Sequence, residues 1–170
     1  MIHDLDLVLH LVNAPVKRVS ASGVAVLSNT PDIANARVEF ANGCVANLTA
    51  SRISLKQMRK MRLFQQDAYL SLDFLDKSTQ IVRLFDRHAP DLPNPEYLME
   101  FETPGGGKKW LQLEMPDTLP INAIQLELET FADCIRTNTT PAVSLEDGVN
   151  ALRLAHRILQ EIEKRRSVAV

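Results

Sequence analysis

The chain has 170 residues, of which 45% are hydrophobic and 24% charged, with a formal net charge of −2. This length corresponds to one domain, so we expect residues 1–170 to fold as a single unit. The charge balance argues against a nucleic-acid-binding or membrane-surface protein. No run approaches the roughly 18 apolar residues that span a bilayer. Cys44 and Cys134 fit no zinc or redox spacing, and we expect a reduced, cytoplasmic protein.

The N-terminal third predicts a helix followed by a β-hairpin. Apolar residues recur at helical spacing between Ile2 and Asn13, and Pro15 ends this helix. A strand is expected from Val16 to Leu27. From Ala34 to Phe40 apolar and polar residues alternate, which is typical of a strand with one buried face.

The pair Asn42-Gly43 follows that strand and precedes an apolar run from Cys44 to Ser54. An Asn-Gly pair between two such runs is the strongest short-range signal of a hairpin, because both turn residues are expected to take positive φ. We therefore predict a tight turn at this pair.

The middle of the chain predicts further antiparallel strands. A second hairpin is expected to turn near Asp67, and Gly105-Gly106-Gly107 lies in a proline-containing segment that predicts a loop. The expected strands are Met61–Gln66, Ala68–Leu75, Thr79–Phe85, Glu96–Phe101 and Trp110–Met115.

Two helices are expected at the C-terminus. The first, Ile121–Thr137, carries an apolar stripe of Ile124, Leu128, Phe131 and Ile135. The second runs from about Leu145 to Arg165 after a capping-box pattern, Ser144 to Asp147. We expect its inward side to carry Val149, Leu152, Leu159 and Ile162. The side expected to face water carries Arg153, Arg157, Glu161 and Arg165.

This order of elements predicts an α+β fold, with one large, mostly antiparallel open sheet of about six strands and helices packed on one face. In several strands apolar residues occur at both odd and even positions, so the face of the sheet without helices should also be partly apolar. Such a face usually meets another copy of itself, and we therefore expect a homo-oligomer through the sheet face.

Few residues indicate chemistry by spacing alone. GxGxxG, HExxH, GxSxG and CxxC are all absent, so we expect no metal site. His88 and His156 are interpreted as surface or packed residues. His3 precedes an acidic helix start, where a histidine could exchange protons with a substrate, although its position alone favours a solvated side chain.

The remaining charged residues are interpreted structurally. Asp4 and Asp6 suit the start of a helix, where carboxylates favour the positive end of the helix dipole. A further group could line a polar patch but is more typical of a solvated surface. This group comprises Asp32, Glu39, Arg52, Lys56, Arg59, Lys60 and Arg62.

Four segments, in order along the chain, resemble the C-terminal domain of Gfo/Idh/MocA-family NAD(P)-dependent oxidoreductases. IHDLDL at residues 2–7 is similar to the family pattern G-x-H-D-I/L-D-L, and VKRVSA at 16–21 to V-x-x-V-x-A. DIANARVEFANG at 32–43 resembles a strand that ends in F-x-N-G. SLEDGVNAL at 144–152 resembles the final-helix start, S-x-E-D-G-x-x-A-L.

The resemblance implies a glyceraldehyde-3-phosphate-dehydrogenase-like C-terminal domain that supplies the wall of the substrate pocket and the oligomer contact. A Rossmann domain, absent from this sequence, would bind NAD or NADP. The implied reaction is hydride transfer from a sugar, nucleotide-sugar or cyclitol carbon to the nicotinamide. His3 matches the family's catalytic histidine in Asp-x-x-x-His and would exchange the proton of the substrate hydroxyl.

The sequence departs from the family pattern at its N-terminal end. The pattern's aspartate would precede Met1, and the lysine motif and glycine-rich loop belong to the nucleotide-binding domain. We therefore expect the isolated chain to bind no cofactor and to be inactive. An alternative is a stand-alone, non-catalytic sugar-binding or assembly module of the same fold. An unrelated α+β ligand-binding domain is disfavoured by the ordered matches.

Overall fold

The computed structural model describes residues 1–90 and 92–168. The chain divides into two compact units. Unit 1 comprises Met1–Leu55 with Ala123–Val170, and unit 2 comprises Lys56–Asn122.

Unit 1 contains a three-stranded antiparallel sheet and three helices. The sheet order is β1-β2-β3, in chain order. Its elements are α1 (Ile2–Val12), β1 (Val16–Val24), β2 (Ile33–Phe40), β3 (Val45–Ser51), α2 (Ala123–Thr137) and α3 (Leu145–Val168). The helix predicted at the N-terminus and the alternating strand that ends at Phe40 are confirmed.

The core of unit 1 lies between one sheet face and the helices α1 and α3. The alternating residues of β2 place Val38 and Phe40 on this face, where both are almost fully buried. Leu5 from α1 and Ile162 from α3 fill the same core. The helices therefore cover the apolar face of the sheet, and the rotation of each helix is fixed by the side chain that it buries.

The opposite face of this sheet is polar at its centre and partly apolar towards its ends, as expected, because Val24, Ile33 and Val45 lie on it. Strand register places Asn35 beside Thr49 and Arg37 beside Asn47. The Thr49 hydroxyl donates to Asn35 Oδ1 at 2.8 Å, and the Arg37 guanidinium donates to Asn47 Oδ1 at 3.3 Å. These two cross-strand pairs are thus hydrogen-bonded, which suits a surface in contact with water.

The β2–β3 hairpin forms where the Asn-Gly pair predicts it, but by a different turn. Gly43 takes positive φ (87°), whereas Asn42 does not. The Gly43 N–H donates to the Phe40 carbonyl at 3.1 Å, and Asn42 Oδ1 accepts from the Cys44 N–H at 3.1 Å. This is a turn followed by a glycine bulge, so the expectation of two positive φ values was wrong.

The final helix begins with the predicted capping box. The Asp147 N–H donates to Ser144 Oγ at 3.2 Å, while the Ser144 N–H donates to Asp147 Oδ2 at 2.7 Å. The inward side of α3 differs from the expectation, because Leu152 and Leu159 are exposed. Ile162 is buried as expected, and the other buried residues of α3 are Ala151, Leu154 and Ile158.

The apolar stripe of α2 is present but is not buried. Ile124, Leu128, Phe131 and Ile135 are each more than half exposed. The helix itself is confirmed. Nothing in the described part of the chain buries this stripe.

Unit 2 is a five-stranded antiparallel sheet with the strand order β4-β5-β6-β8-β7. Its strands are β4 (Lys60–Phe64), β5 (Ala68–Asp73), β6 (Ser78–Asp86), β7 (Leu98–Glu102) and β8 (Lys108–Glu114). A short 3₁₀ helix, Pro95–Tyr97, precedes β7. The turn near Asp67 and the glycine turn between β7 and β8 are confirmed, the latter with Gly106 at positive φ.

The α+β class is confirmed, with antiparallel strands and three helices. The strands form two sheets, however, rather than the single sheet expected from their order. Unit 2 also carries apolar side chains on both faces, and among its strand residues as described only Ala68 is buried. Because apolar residues occupy both odd and even positions of these strands, the sheet of unit 2 has apolar side chains on both faces. None of the described helices is long and apolar enough to cross a membrane.

Gly23 is a position at which the core of unit 1 leaves little space for a side chain. A Cβ there would lie 3.0 Å from Ile162 Cγ2 and 3.1 Å from Pro31 Cβ. We expect Gly23→Ala to lower the free energy of unfolding by about 1–3 kcal/mol, because the buried Ile162 side chain would have to shift within a packed core. Urea unfolding followed by circular dichroism would measure this change.

Gly148→Ala is the matched control, since no atom lies within 4 Å of a Cβ placed there. This change should stabilise α3 by ~0.5–1 kcal/mol. Ile162→Val should relieve part of the cost of Gly23→Ala, so that the double variant is less destabilised than the sum of the single variants. Strict additivity would show that the contact with Ile162 is not the cause.

Candidate active site

His3 lies in the first turn of α1 and is exposed. Leu5 and Leu9 face the core, and the 3.6-residue repeat therefore places His3 on the opposite side of the helix, together with His10. The core of unit 1 leaves the imidazoles of both residues accessible. The side chain of His3 is exposed and can contact a ligand. It makes no hydrogen bond to any other described residue.

A cleft of about 670 Å³ lies between α1 and α3. Leu9 and Leu154 form apolar parts of its lining, which also contains Asp6, His10, Asn13, Asp147, Asn150, Arg153 and Arg157. Asp6 shares α1 with His3 and lies one turn further along the helix. The cleft therefore begins close to the exposed side of α1 and combines an apolar floor with polar groups, as small-molecule sites usually do.

The carboxylate of Asp147 is already engaged at the edge of the cleft. It accepts hydrogen bonds from the Ser144 hydroxyl at 2.6 Å and the Ser144 N–H at 2.7 Å. These bonds, with a smaller contribution from the positive charge of His10, hold the pKa of Asp147 below its usual value. Asp147 is thus an ionised helix cap more than a free acid.

Asp32 was expected to belong to a solvated charged surface, but the structure buries it. Its Oδ2 accepts hydrogen bonds from the N–H groups of Val26, Leu27 and Ser28 at 2.7–3.1 Å. Arg52 Nε lies 3.5 Å from Oδ1. The backbone hydrogen bonds lower the pKa of Asp32 to about 2. Asp32 therefore fixes the β1–β2 loop and has a structural role.

Three of the five basic residues in the same group, Arg52, Arg59 and Lys60, have an identified partner. Arg52 belongs to unit 1, whereas the four others belong to unit 2. Lys60 Nζ lies 2.9 Å from Asp73 Oδ2, and this hydrogen bond raises the pKa of Lys60 and lowers that of Asp73. The Arg59 guanidinium lies 5.2 Å from the centre of the Phe74 ring. Glu39 pairs with Arg37 on the polar face of the unit 1 sheet.

The other histidines are placed on the surface, as expected. His88 lies in the loop after β6 and His156 on the exposed side of α3. Among residues 1–90 and 92–168, no three His, Cys, Asp or Glu side chains come together as a metal site would require.

The described residues do not fit a dinucleotide. All paired strands are antiparallel, so this part of the chain contains no strand-helix-strand unit with a glycine-rich turn that could cradle a diphosphate. Any nicotinamide cofactor would have to be held by residues outside it.

Two family models, both of oxidoreductase C-terminal domains, match this chain. Residues 1–70 match the family model described as the GFO/IDH/MocA C-terminal domain. Residues 85–170 match the model described as an oxidoreductase family C-terminal alpha/beta domain. The chain belongs to the Gfo/Idh/MocA oxidoreductase family, which confirms the resemblance found in its sequence.

The chain is similar to UDP-N-acetylglucosamine 3-dehydrogenase of Acidithiobacillus ferrooxidans, with 36% identity over 146 residues. That match covers 86% of this chain and 45% of the relative, so the chain spans less than half the length of this curated enzyme. A solved structure of the same enzyme, GnnA, aligns with a TM-score of 0.79 at 32% identity, covering 96% of this chain and 47% of that one.

A more distant structure shares the fold alone. The WlbA dehydrogenase from Bordetella pertussis, in complex with NADH and UDP-GlcNAcA, aligns with a TM-score of 0.61 at 14% identity. The alignment covers 96% of this chain and 41% of that structure.

The sequence predicts His3 as a site residue, but His3 is not among the residues that line the cleft, and those residues were not predicted. His10 follows His3 by seven residues, two turns of a helix, and this spacing was an available signal. Arg153 and Arg157 are spaced four apart on α3, on the side that was expected to face water. Only the packing of α3 against α1 shows that His10 and the two arginines line one cleft.

The buried carboxylate of Asp32 predicts acid sensitivity. Because its pKa in the folded state, about 2, lies below the ordinary 3.8, Asp32 stabilises the fold above pH 3.8, and this stabilisation is lost as the pH falls towards 2. Asp32→Asn should lower the melting temperature at neutral pH by several degrees and should flatten its dependence on pH within this window. Thermal melts across the window would measure both effects, with the exposed Asp117→Asn as a control for net charge. A melting temperature for Asp32→Asn equal to that of the control would contradict the anchoring role.

Proposed function

We propose that residues 1–170 form the C-terminal, substrate-side and oligomerisation domain of an NAD(P)-dependent oxidoreductase. The enzyme would transfer a hydride between a sugar hydroxyl carbon and the nicotinamide. The 36% identity to UDP-N-acetylglucosamine 3-dehydrogenase is the observation that carries this proposal. The unpaired cysteines Cys44 and Cys134 are consistent with a reducing compartment, and we assign the enzyme to the cytoplasm.

The proposed substrate class is a nucleotide sugar. Among the sugars, nucleotide sugars and cyclitols that the family resemblance implies, the relative with 36% identity acts on UDP-N-acetylglucosamine. The polar and apolar lining of the cleft suits a ligand that has both hydroxyl groups and an apolar ring face.

His3 is the proposed proton-transfer residue. Its exposed position on α1 leaves the imidazole free to accept a hydrogen bond from a substrate hydroxyl. Removal of that proton strengthens the carbinol carbon as a hydride donor, and in the reverse reaction His3 returns the proton. The residues of this chain thus supply the proton-transfer half of the reaction.

The cofactor, NAD or NADP, would accept the hydride and would be bound by a nucleotide-binding domain outside these residues. The 170 residues alone should therefore catalyse no turnover. The native gene should therefore encode a glycine-rich strand-helix-strand unit upstream of the codon for Met1. It should also encode an aspartate four residues before His3.

The sequence of the native gene upstream of Met1 tests the domain assignment directly. An in-frame glycine-rich unit supports the dehydrogenase. An in-frame stop codon would contradict it and would favour the stand-alone sugar-binding or assembly module.

His3→Asn in the full-length enzyme tests the catalytic role. A loss of general base catalysis should lower kcat by ~10²–10⁴-fold, while the KM for the sugar changes little. Steady-state kinetics that follow reduction of the cofactor would measure this change. His156→Asn, on the exposed side of α3, is the control and should retain normal turnover. A kcat for His3→Asn equal to that of the control would show that His3 is not the proton-transfer residue.

The unit 2 sheet is the proposed homo-oligomer interface. Strand register aligns a continuous apolar band across all five strands, and this band comprises Phe64, Tyr69, Val82, Leu84, Leu111, Leu113, Met99 and Phe101. Phe64 is 78% exposed in the described structure. Burial of such a band against a second copy would remove a large apolar surface from water.

Phe101→Glu combined with Leu113→Glu should weaken this association, because two charges would be desolvated in the interface. We expect the dissociation constant measured by sedimentation velocity to rise at least tenfold, or about 1.4 kcal/mol. The control is Leu27→Glu in the exposed β1–β2 loop of unit 1. A wild-type protein that remains monomeric at micromolar concentration would refute the interface.

A further inference from the structure

The cleft between α1 and α3 contains two arginines whose charges are only weakly compensated. Arg153 Nη1 donates to the neutral Asn150 Oδ1 at 3.2 Å and lies 4.0 Å from the exposed Glu146 carboxylate. Such a long, exposed ion pair contributes little. Among the described residues, Arg157 has neither a hydrogen bond nor an ion pair.

The carboxylates in the lining do not cancel these charges. Asp147 is held by Ser144 through two hydrogen bonds at the first turn of α3. No ion pair joins Asp6 to either arginine in the described part of the chain. Two guanidinium groups, spaced four residues apart on one side of α3, therefore remain available to a ligand in the cleft.

The polar groups opposite the arginines are also suited to an anion. His10 and Asn13 line the α1 side of the cleft, and both can donate hydrogen bonds to oxygen atoms. The volume of about 670 Å³ exceeds that needed for a simple inorganic ion and falls within the range of sites for small organic molecules.

We infer that this cleft binds the diphosphate of a nucleotide-sugar substrate, with Arg153 and Arg157 as its charged ligands. Guanidinium groups recognise phosphate oxygens through paired, charge-assisted hydrogen bonds, which a neutral sugar could not use equally well. The inference rests on the proposed function, since it names the residues that would distinguish a nucleotide sugar from a free sugar.

The position of the cleft agrees with the proposed role of His3. Asp6, at the edge of the cleft, lies three residues after His3 and therefore on a neighbouring part of the same helix surface. A ligand whose diphosphate occupies the cleft can extend its sugar along α1 towards His3. The arginines would then bind the part of the substrate that does not react.

Binding of UDP to the 170-residue protein tests the site without requiring turnover. NMR titration with UDP should shift the resonances of His10 and of the arginine side chains of the cleft, with an affinity in the millimolar range. Pyrophosphate should shift the same resonances, whereas uridine, which lacks the diphosphate, should not. The diphosphate could belong to a nucleotide sugar or to the nicotinamide cofactor, and ADP-ribose represents the second. Binding of ADP-ribose more tightly than UDP would overturn the assignment to a nucleotide sugar.

Arg153→Gln combined with Arg157→Gln should weaken the binding of UDP by about 10- to 100-fold, because each arginine contributes charge-assisted hydrogen bonds. Both side chains are exposed, and a native-like ¹H–¹⁵N spectrum would establish that the variant is folded. Arg136→Gln on α2 removes the same type of charge from a different surface and should leave UDP binding unchanged. An unchanged affinity in the double variant, or the absence of UDP binding to the wild type, would refute the site.

The two proposals can fail separately. If the full-length enzyme oxidises a nucleotide sugar with an unchanged KM in the double variant, the diphosphate site is wrong and the proposed function stands. If UDP binds through the arginines but His3→Asn retains full turnover, the site stands and the catalytic assignment fails.

Discussion

The packing of α1 and α3 on the apolar face of the β1–β2–β3 sheet is the constraint on which the rest of unit 1 depends. Phe40 and Val38 supply the sheet side of this core, and Leu5 and Ile162 supply the helix side. The absence of a side chain at Gly23 lets α3 approach β1 closely. Because burial of Leu5 fixes the rotation of α1, it also decides that His3 lies on the outer side of the helix. The candidate active site is therefore a consequence of core packing.

Several charged side chains in the described residues are held by a partner in the same loop, the same helix or the neighbouring strand. Asp32 is held by the backbone of its own loop, Asp147 by the capping box, and Lys60 by Asp73 on the neighbouring strand. These local pairs shift pKa values without forming an active site. The α1–α3 cleft differs, since Arg153 and Arg157 are left with little compensation there. Weakly compensated guanidinium groups beside apolar lining residues are typical of a binding site and not of a solvated surface.

The two sheets divide the proposed tasks of the domain. The sheet of unit 1 has one apolar face, which α1 and α3 cover, and an opposite face on which hydrogen-bonded polar pairs lie beside Val24, Ile33 and Val45. The sheet of unit 2 has apolar side chains on both faces, and its strands bury little surface in the described residues. A protein stabilises such a sheet by covering it with other protein surface. We therefore propose that unit 1 positions a substrate and that unit 2 serves assembly.

The sequence by itself determined the local elements and the family. Alternation along β2, the Asn-Gly hairpin and the Ser144 capping box depend on neighbouring residues, and the ordered motifs carried the resemblance that located His3. Tertiary structure decided the inward side of α3, because leucines occur on both sides of that helix and periodicity cannot distinguish them. It also decided the division into two sheets and the cleft at Arg153. These features depend on contacts between segments distant in sequence, which no local pattern encodes.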